Sequence, residues 1–186
     1  MYYDMEKDID HILVGQEELA KICDRMAEKI IADYGESEHD LVLVSILKGS
    51  VIFTAELYKR IPFPCAIEFM KVSSYGSGTD SSGFIQVHLD LKRDIKDSDV
   101  IILEDIVDSG RTLQKLRSLL SDRGAHSVKC FTLLDKPSRR QVDFNPDLVG
   151  KVVPDEFVVG FGLDYNEKYR NLPYVGVLKP EIYEKK

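Results

Sequence analysis

The stretch Val100-Ile101-Ile102-Leu103-Glu104-Asp105-Ile106-Val107-Asp108-Ser109-Gly110-Arg111-Thr112-Leu113 passes from one kind of structure to another. Val100 to Leu103 is an apolar run of strand length, read as a short strand covered on both faces. Glu104, Asp105 and Asp108 follow at its carboxyl end. Ser109, Gly110, Arg111 and Thr112 turn into Leu113, Leu116, Leu119 and Leu120, which recur at helical spacing. A helix that opens with free N–H groups and hydroxyls is an anion site. Carboxylates beside an anion site suit a divalent cation or a hydroxylated sugar. The segment therefore calls for a ligand with a phosphate, a polyol and Mg2+. A Glu-Asp pair after a strand is by itself as often a solvated loop. Gly110, which tolerates positive φ and close approach of a ligand, and the hydroxyls of Ser109 and Thr112 set this segment apart.

Outward from this centre the chain alternates strand and helix. Gln16 to Ile31 carries Leu19, Ile22, Met26 and Ile30 on one face, with Gly35 as a stop, and predicts an amphipathic helix. Leu41 to Leu47 reads as a strand, Lys48-Gly49-Ser50 as a turn, and Val51 to Arg60 as a helix ended before Pro62. Cys65 to Val72 is a second strand. Ile85, Val87, Leu89 and Leu91 alternate with polar residues, as in a half-exposed strand antiparallel to it. Between these two lies the glycine- and serine-rich loop 73–83, whose one apolar residue is Tyr75. Gly124 stops the central helix, Val128 to Leu134 is a further strand, and Phe157 to Gly160 a short one. Such alternation predicts an α/β fold, a mainly parallel twisted sheet with helices on both faces. Ligands on such sheets bind outside the carboxyl ends of the strands, where the candidate residues fall. Residues 1–15 and 176–186 carry no readable chemical signal.

Composition narrows the class. The chain has 186 residues, 44% hydrophobic and 31% charged, which suits one compact domain, residues 1–186. Its net charge of −7 argues against broad nucleic-acid binding, which needs a basic surface. No apolar run approaches membrane-spanning length. The opening residues lack the apolar core of a signal peptide, so a cytoplasmic protein is expected. Cys23, Cys65 and Cys130 form no CxxC pair and are expected to be reduced and buried. The histidines are scattered without ligand spacing, the chain has no GxxxxGK[ST], and Gly160-Phe161-Gly162 lacks a dinucleotide site's third glycine. Arg139-Arg140 is expected to be a solvated or subunit-facing pair.

The central segment resembles the phosphoribosyl-pyrophosphate motif of the type I phosphoribosyltransferases. In its Glu104-Asp105-Ile106-Val107-Asp108 form it resembles the hypoxanthine (hypoxanthine-guanine) branch. Leu47-Lys48-Gly49 is similar to that family's pyrophosphate loop, in which the peptide before the lysine is often cis. Ser74-Tyr75-Gly76 is similar to its mobile catalytic loop, and Lys136 to its purine-reading lysine. Phe157 to Gly160, and Leu163 to Glu167 with Arg170, resemble its base-stacking and metal segment. These blocks span roughly residues 40–175, in the family's order.

The resemblance implies a core of about 37–150, with a hood from the N-terminal segment and about 151–186. It implies purine salvage: transfer of the 5-phosphoribosyl group from phosphoribosyl pyrophosphate to N9 of hypoxanthine or guanine. Residues Asp108 to Thr112 would cradle the 5′-phosphate, with Arg111 reaching it or facing solvent. Glu104 and Asp105 would hold the ribose hydroxyls, directly or through Mg2+. Asp108 would be the general base near N7, or a helix N-cap, or both. Lys48, Gly49 and Arg170 would meet pyrophosphate. Glu104, Asp105 and Asp164 would serve the metal. Phe157 would stack on the base, Lys136 would donate to its 6-oxo group, and backbone groups of Val158 and Asp164 would read the other edge. Ser74 and Tyr75 would close as a lid. Because a lysine only donates, it selects 6-oxopurines over adenine. The partners implied are these small molecules and further copies of the chain as dimer or tetramer. Two other readings stand beside this one. A ligand-sensing regulator on the same fold would show a basic patch and tolerate loss of Asp108. A transferase for adenine or pyrimidines is opposed by Lys136 and Phe157-Val158.

Overall fold

The computed structural model describes residues 3–74 and 85–184. A short 3-10 turn, Met5–Asp8, precedes strand β1 (Ile9–Val14) and helix α1 (Gln16–Tyr34). Then follow β2 (Leu41–Ile46), α2 (Val51–Tyr58), β3 (Ala66–Ser74), β4 (Ile85–Leu89), β5 (Asp99–Val107), α3 (Arg111–Asp122) and β6 (Ser127–Asp135). The chain ends with β7 (Leu148–Val152), β8 (Val158–Val159), β9 (Val175–Leu178) and the single turn α4 (Pro180–Tyr183).

The main sheet has six strands in the order β4-β3-β2-β5-β6-β7, parallel except for the antiparallel β4. Its central strands are apolar on both faces because both are covered. Ile101 and Leu103 join Leu19, Ile22, Met26, Phe53 and Leu57 of α1 and α2 in one cluster. Val100 and Ile102 join Leu113, Leu116 and Leu120 of α3 in another. This is strand alternation read out as packing. The chain moves one way from β2 to β3 and the other way from β5 to β6 and β7, so order reverses between β2 and β5. A crevice opens at such a reversal, beyond the carboxyl ends. The segments leaving β2 and β5 are Leu47-Lys48-Gly49 and Asp108-Ser109-Gly110.

Three features depart from expectation. Strand β5 continues to Val107, so Glu104 and Asp105 lie in the strand and not after it. The reason is backbone pairing: β6 runs to Asp135 and keeps Glu104 opposite Thr132 and Val107 opposite Asp135. Strands β1 and β9, which no local signal in the sequence foretold, make with β8 a separate three-stranded sheet, here called the hood. Half of β1 faces solvent, Asp10 to Ile12, so it shows no apolar alternation. Cys65 is only partly buried, whereas Cys23 and Cys130 are buried, and all three are free. Among the described residues no helix is long and apolar enough to cross a membrane.

Candidate active site

The turn expected to cradle a phosphate is built on Gly110. It caps α3 at φ +77, a conformation a Cβ would strain. No side chain caps the helix, and the nearest contact, Arg111 N–H to Ser109 Oγ, is long at 3.4 Å. The N-terminal N–H groups therefore stay available to an anion. Asp108 is not the N-cap; Gly110 takes that position.

The loop after β6 holds this turn from behind. Its backbone donates from Gln141 to the Ser109 carbonyl at 3.0 Å and from Lys136 to the Val107 carbonyl at 3.0 Å. Arg140 donates through Nη1 to the Asp108 carbonyl and through Nη2 to the Asp135 carboxylate. Its side chain is largely buried, and a Cβ on Gly110 would meet its Cδ at 3.0 Å. The expectation of a solvated or subunit-facing Arg139-Arg140 pair is thus corrected for Arg140, which turns onto Asp135 of its own chain. Position 140 turns inward because the chain turns through the 3-10 segment Pro137–Arg139 beside the cradle. Arg139 stays half exposed against Asp155 at 3.2 Å.

The carboxylates at the end of β5 are under-neutralised. Glu104 Oε2 is buried with no hydrogen-bond partner among the described residues. Burial, reinforced by the neighbouring Asp105 charge, holds the Glu104 carboxyl well above its ordinary range. Burial raises Asp105 to about 6, against the opposing pull of the Ile106 N–H and Arg170. Two crowded acids of this kind call for a cation or for hydroxyl donors. An Mg2+ ion bound by one or both fits that need. Among the described residues no three acidic, His or Cys side chains converge on one point, so such an ion would draw its other ligands from substrate and water. Asp164 lies near enough for its charge to act on Asp105, but it is engaged elsewhere. Its Oδ2 accepts from the Glu167 N–H at 2.8 Å, and its Oδ1 pairs with Arg170 at 2.8 Å.

The turn after β2 lies directly on Asp105. The Leu47–Lys48 peptide is cis. A Cβ placed on Gly49 would sit 1.6 Å from Asp105 Oδ2, and one on Gly162 would sit 2.0 Å from the Gly49 carbonyl. Asp105, Gly49 and Gly162 thus form a stack without room for side chains between its layers. Arg170 donates to the Gly162 carbonyl at 2.8 Å, which ties the same stack to the Asp164 segment. Lys48 is exposed and pairs with Glu167 at 2.8 Å. Glu167 also approaches Arg170, at 3.5 Å, and these cations hold its carboxyl below the ordinary range, Lys48 foremost.

Beside the cradle is a cleft of about 400 Å³ lined by Asp108, Lys136, Phe157, Val158 and Asp164, all foreseen, and by Ile106 and Tyr183, which were not. Lys136 is 5% exposed, and its ammonium donates to the Glu156 carbonyl at 2.6 Å. Phe157 is 37% exposed. The structure thus gathers Lys136, Phe157, Val158, Asp164 and Asp108 at one cleft, and Glu104, Asp105, Gly49 and Arg170 near the switch point. Ser74 ends β3; Tyr75 lies outside the described residues. Reasoning from sequence missed Ile106, Arg140, Gly162 and Tyr183. Gly162 was visible as half of Gly160-Phe161-Gly162 but had been weighed only as a nucleotide fingerprint.

Residues 12–166 match the family model described as a phosphoribosyl transferase domain. A hypoxanthine-guanine phosphoribosyltransferase of Staphylococcus epidermidis is 50% identical over 181 residues, 97% of this chain and 100% of that protein. One of Staphylococcus aureus is 48% identical over 179 residues, 96% of this chain and 99% of that one. A crystal structure of a hypoxanthine phosphoribosyltransferase from Staphylococcus aureus superposes with a TM-score of 0.93 at 46% identity, covering 100% of both chains. A point mutant of the Trypanosoma cruzi hypoxanthine phosphoribosyltransferase, in a ternary substrates complex, gives 0.89 at 39% identity, over 95% of this chain and 99% of that one.

Proposed function

The chain belongs to the phosphoribosyl transferase family, and from that premise we propose how its residues divide the work. It is a purine salvage enzyme, a pentosyl transferase that joins hypoxanthine or guanine to the ribose of phosphoribosyl pyrophosphate and releases pyrophosphate. The assignment rests above all on Lys136 and Phe157 lining one cleft with Asp108, next to a helix N-terminus that no side chain among the described residues caps.

In this assignment the backbone and hydroxyls of Asp108 to Thr112 take the 5′-phosphate, and Arg111 stands at the first helical position beside it. Glu104 and Asp105 take the ribose hydroxyls. Their negative charge lies where the ring becomes cationic as the bond to pyrophosphate breaks. Lys48, the Gly49 backbone and Arg170 receive the leaving group, which takes the place of Glu167 on the two cations. Mg2+, held by Glu104, Asp105 or Asp164, would neutralise pyrophosphate and make it a better leaving group. Phe157 stacks on the base, Lys136 donates to its 6-oxo oxygen, and backbone groups of Val158 and Asp164 meet its other edge. Asp108, which lines the same cleft, accepts the purine proton as charge builds on the ring. The whole chain acts as one domain in which the main sheet carries phosphate and ribose, and the hood carries the base.

A cytoplasmic enzyme that assembles with copies of itself completes the proposal. Helix α2, Val-Ile-Phe-Thr-Ala-Glu-Leu-Tyr, is apolar nearly all round, and its outer side leaves Val51 40% and Tyr58 37% exposed. A helix of that kind is normally covered, and a second copy of the chain is the proposed cover.

The test is a turnover panel. Purified protein with Mg2+ and phosphoribosyl pyrophosphate is offered hypoxanthine, guanine, xanthine, adenine and uracil in turn. Mg2+-dependent nucleotide from hypoxanthine or guanine, with none from adenine, is expected. Binding of phosphoribosyl pyrophosphate without turnover of any base would instead favour the ligand-sensing regulator. Sedimentation or light scattering in the same buffer reads the oligomer.

A further inference from the structure

The cleft wall at Phe157 is not self-supporting. The ring is 37% exposed, so the core packing that fixes a buried aromatic is only half present. Two rings from elsewhere in the hood supply the rest. Tyr165 meets it edge-on, with centroids 5.5 Å apart and planes at 88°. Tyr183 lies nearly parallel to it, with centroids 4.8 Å apart and planes at 19°. Both arrangements belong to the favourable aromatic geometries.

Tyr183 comes from the last turn of the chain, which is firmly attached. Leu178 donates its N–H to the Phe157 carbonyl at 2.8 Å, so β9 holds the same residue by its backbone. Lys179 donates its backbone N–H to the Asp8 carbonyl at 2.9 Å and its ammonium to the Lys7 carbonyl at 2.8 Å. Ile182 and Tyr183 then pack against the hood's own cluster of Val159, Tyr169, Leu172, Tyr174 and Leu178, as does Tyr165. Tyr183 and Tyr165 thus both pack on this hood cluster and both rest against the Phe157 ring, which ties the ring to the hood. Tyr183 also contributes to the lining of the cleft itself.

We infer that Tyr183 is a positioning residue for the purine. It holds the Phe157 ring in the plane on which the base stacks, so that the C-terminal turn completes the base pocket. The inference rests on the purine-transferase reading of the cleft. Tyr183 acts through Phe157, so its loss shows in recognition of the base and not in the phosphate cradle, which is built on the main sheet.

The test is steady-state kinetics on wild type, Tyr183→Phe, Tyr183→Leu and Tyr183→Ala, with hypoxanthine and guanine varied separately from phosphoribosyl pyrophosphate. Tyr183→Leu keeps apolar bulk against the hood and removes only the flat face, so it remains informative if Tyr183→Ala loosens the fold. An aromatic pair of this kind corresponds to a change of about fivefold. The expected result is that KM for both bases rises by about that factor in Tyr183→Leu and Tyr183→Ala. KM for phosphoribosyl pyrophosphate and kcat stay within about twofold, and Tyr183→Phe restores wild-type values. Unchanged base KM in Tyr183→Leu overturns the inference. So does a parallel rise in both KM values, or a fall in activity that follows a change of oligomeric mass. A wild-type enzyme inactive on every base would sink the reading of the cleft itself, an outcome separate from these.

Discussion

Gly49→Ala adds one methyl group at the point where three distant segments meet. Its carbon would lie 1.6 Å from Asp105 Oδ2 and 2.5 Å from Cγ, about 1.4 Å short of the 3.0 Å that real contacts essentially never undercut. Asp105 can swing aside only by giving up the bond its Oδ1 accepts from the Ile106 N–H at 2.9 Å within the same strand end. Gly49 cannot retreat, because its carbonyl is packed so closely on Gly162 that a methyl there would lie 2.0 Å from it. A displacement of an ångström or more is therefore forced on a carboxylate assigned to the ribose or on a turn assigned to pyrophosphate. Misplacement of about 1 Å costs on the order of 100-fold in rate. We expect kcat/KM for phosphoribosyl pyrophosphate to fall by about that factor, with much smaller loss in any assay of the base alone. Gly15→Ala is the matched control, since nothing lies within 4 Å of its new methyl. Thermal melting of both variants separates a damaged site from a damaged fold. A Gly49→Ala enzyme within about fivefold of wild type would refute the close stack of Asp105, Gly49 and Gly162 as a functional constraint.

Asp105→Asn should act on stability with a definite sign. Because burial raises the folded-state pKa to about 6, the Asp105 carboxyl favours its protonated form in the fold, and its contribution is lost as pH rises through that value. The ligand-free variant should therefore melt close to wild type near pH 3.5, below the unfolded-state value, and above it at pH 8, while losing phosphoribosyl pyrophosphate binding; a lower melting temperature at pH 8 would contradict the assignment. Lys136→Gln removes the buried ammonium that now donates to the Glu156 carbonyl. KM for hypoxanthine should rise about tenfold or more and the preference over adenine shrink, whereas retained selectivity in the turnover panel would place the reading group elsewhere. Arg140→Ala leaves the buried Asp135 carboxylate unpaired and the Asp108 carbonyl without its donor. A loss of about 3–5 kcal/mol in denaturant unfolding is expected, together with weaker phosphate binding, and a loss below about 1 kcal/mol would mean the pair is effectively solvated.

How much of this was legible in the sequence depends on whether the signal was local. The central strand, its turn and α3 were readable because apolar runs, Gly110 and leucines at helical spacing all lie within one short stretch. The hood was not. Strand β1 is half solvent-exposed, β8 has two residues, and β9 becomes a strand only by pairing with both of them. Likewise Lys136, Phe157 and Asp108 could be named from a family pattern, but Arg140 could not be assigned from its neighbours. An arginine beside another arginine in a polar loop has the signature of a surface pair. Its burial follows from Asp135 and the turn at Gly110, which only the tertiary fold brings to it. Tyr183 gave no signal for the same reason, since its partner Phe157 lies across the hood.

The two central carboxylates show what a strand end adds to a motif. Successive residues of a strand face opposite sides of its sheet, and the apolar part of β5 obeys this, with Ile101 and Leu103 on the α1 side and Val100 and Ile102 on the α3 side. The acids continue the division. Asp105 packs on Gly49 beneath the hood, whereas Glu104 adds to the upward shift of the Cys130 thiol, a member of the α3-side cluster. A ribose laid across the end of β5 would meet one carboxylate from each side, with its 5′-phosphate at the α3 terminus and its C1 toward the cleft of Lys136 and Phe157. A loop carrying the same two acids would leave both in water, where each would ionise freely and neither would need a hydroxyl or a cation. In a covered strand at the switch point, Glu104 Oε2 has no partner among the described residues, and a ligand becomes the means of satisfying it.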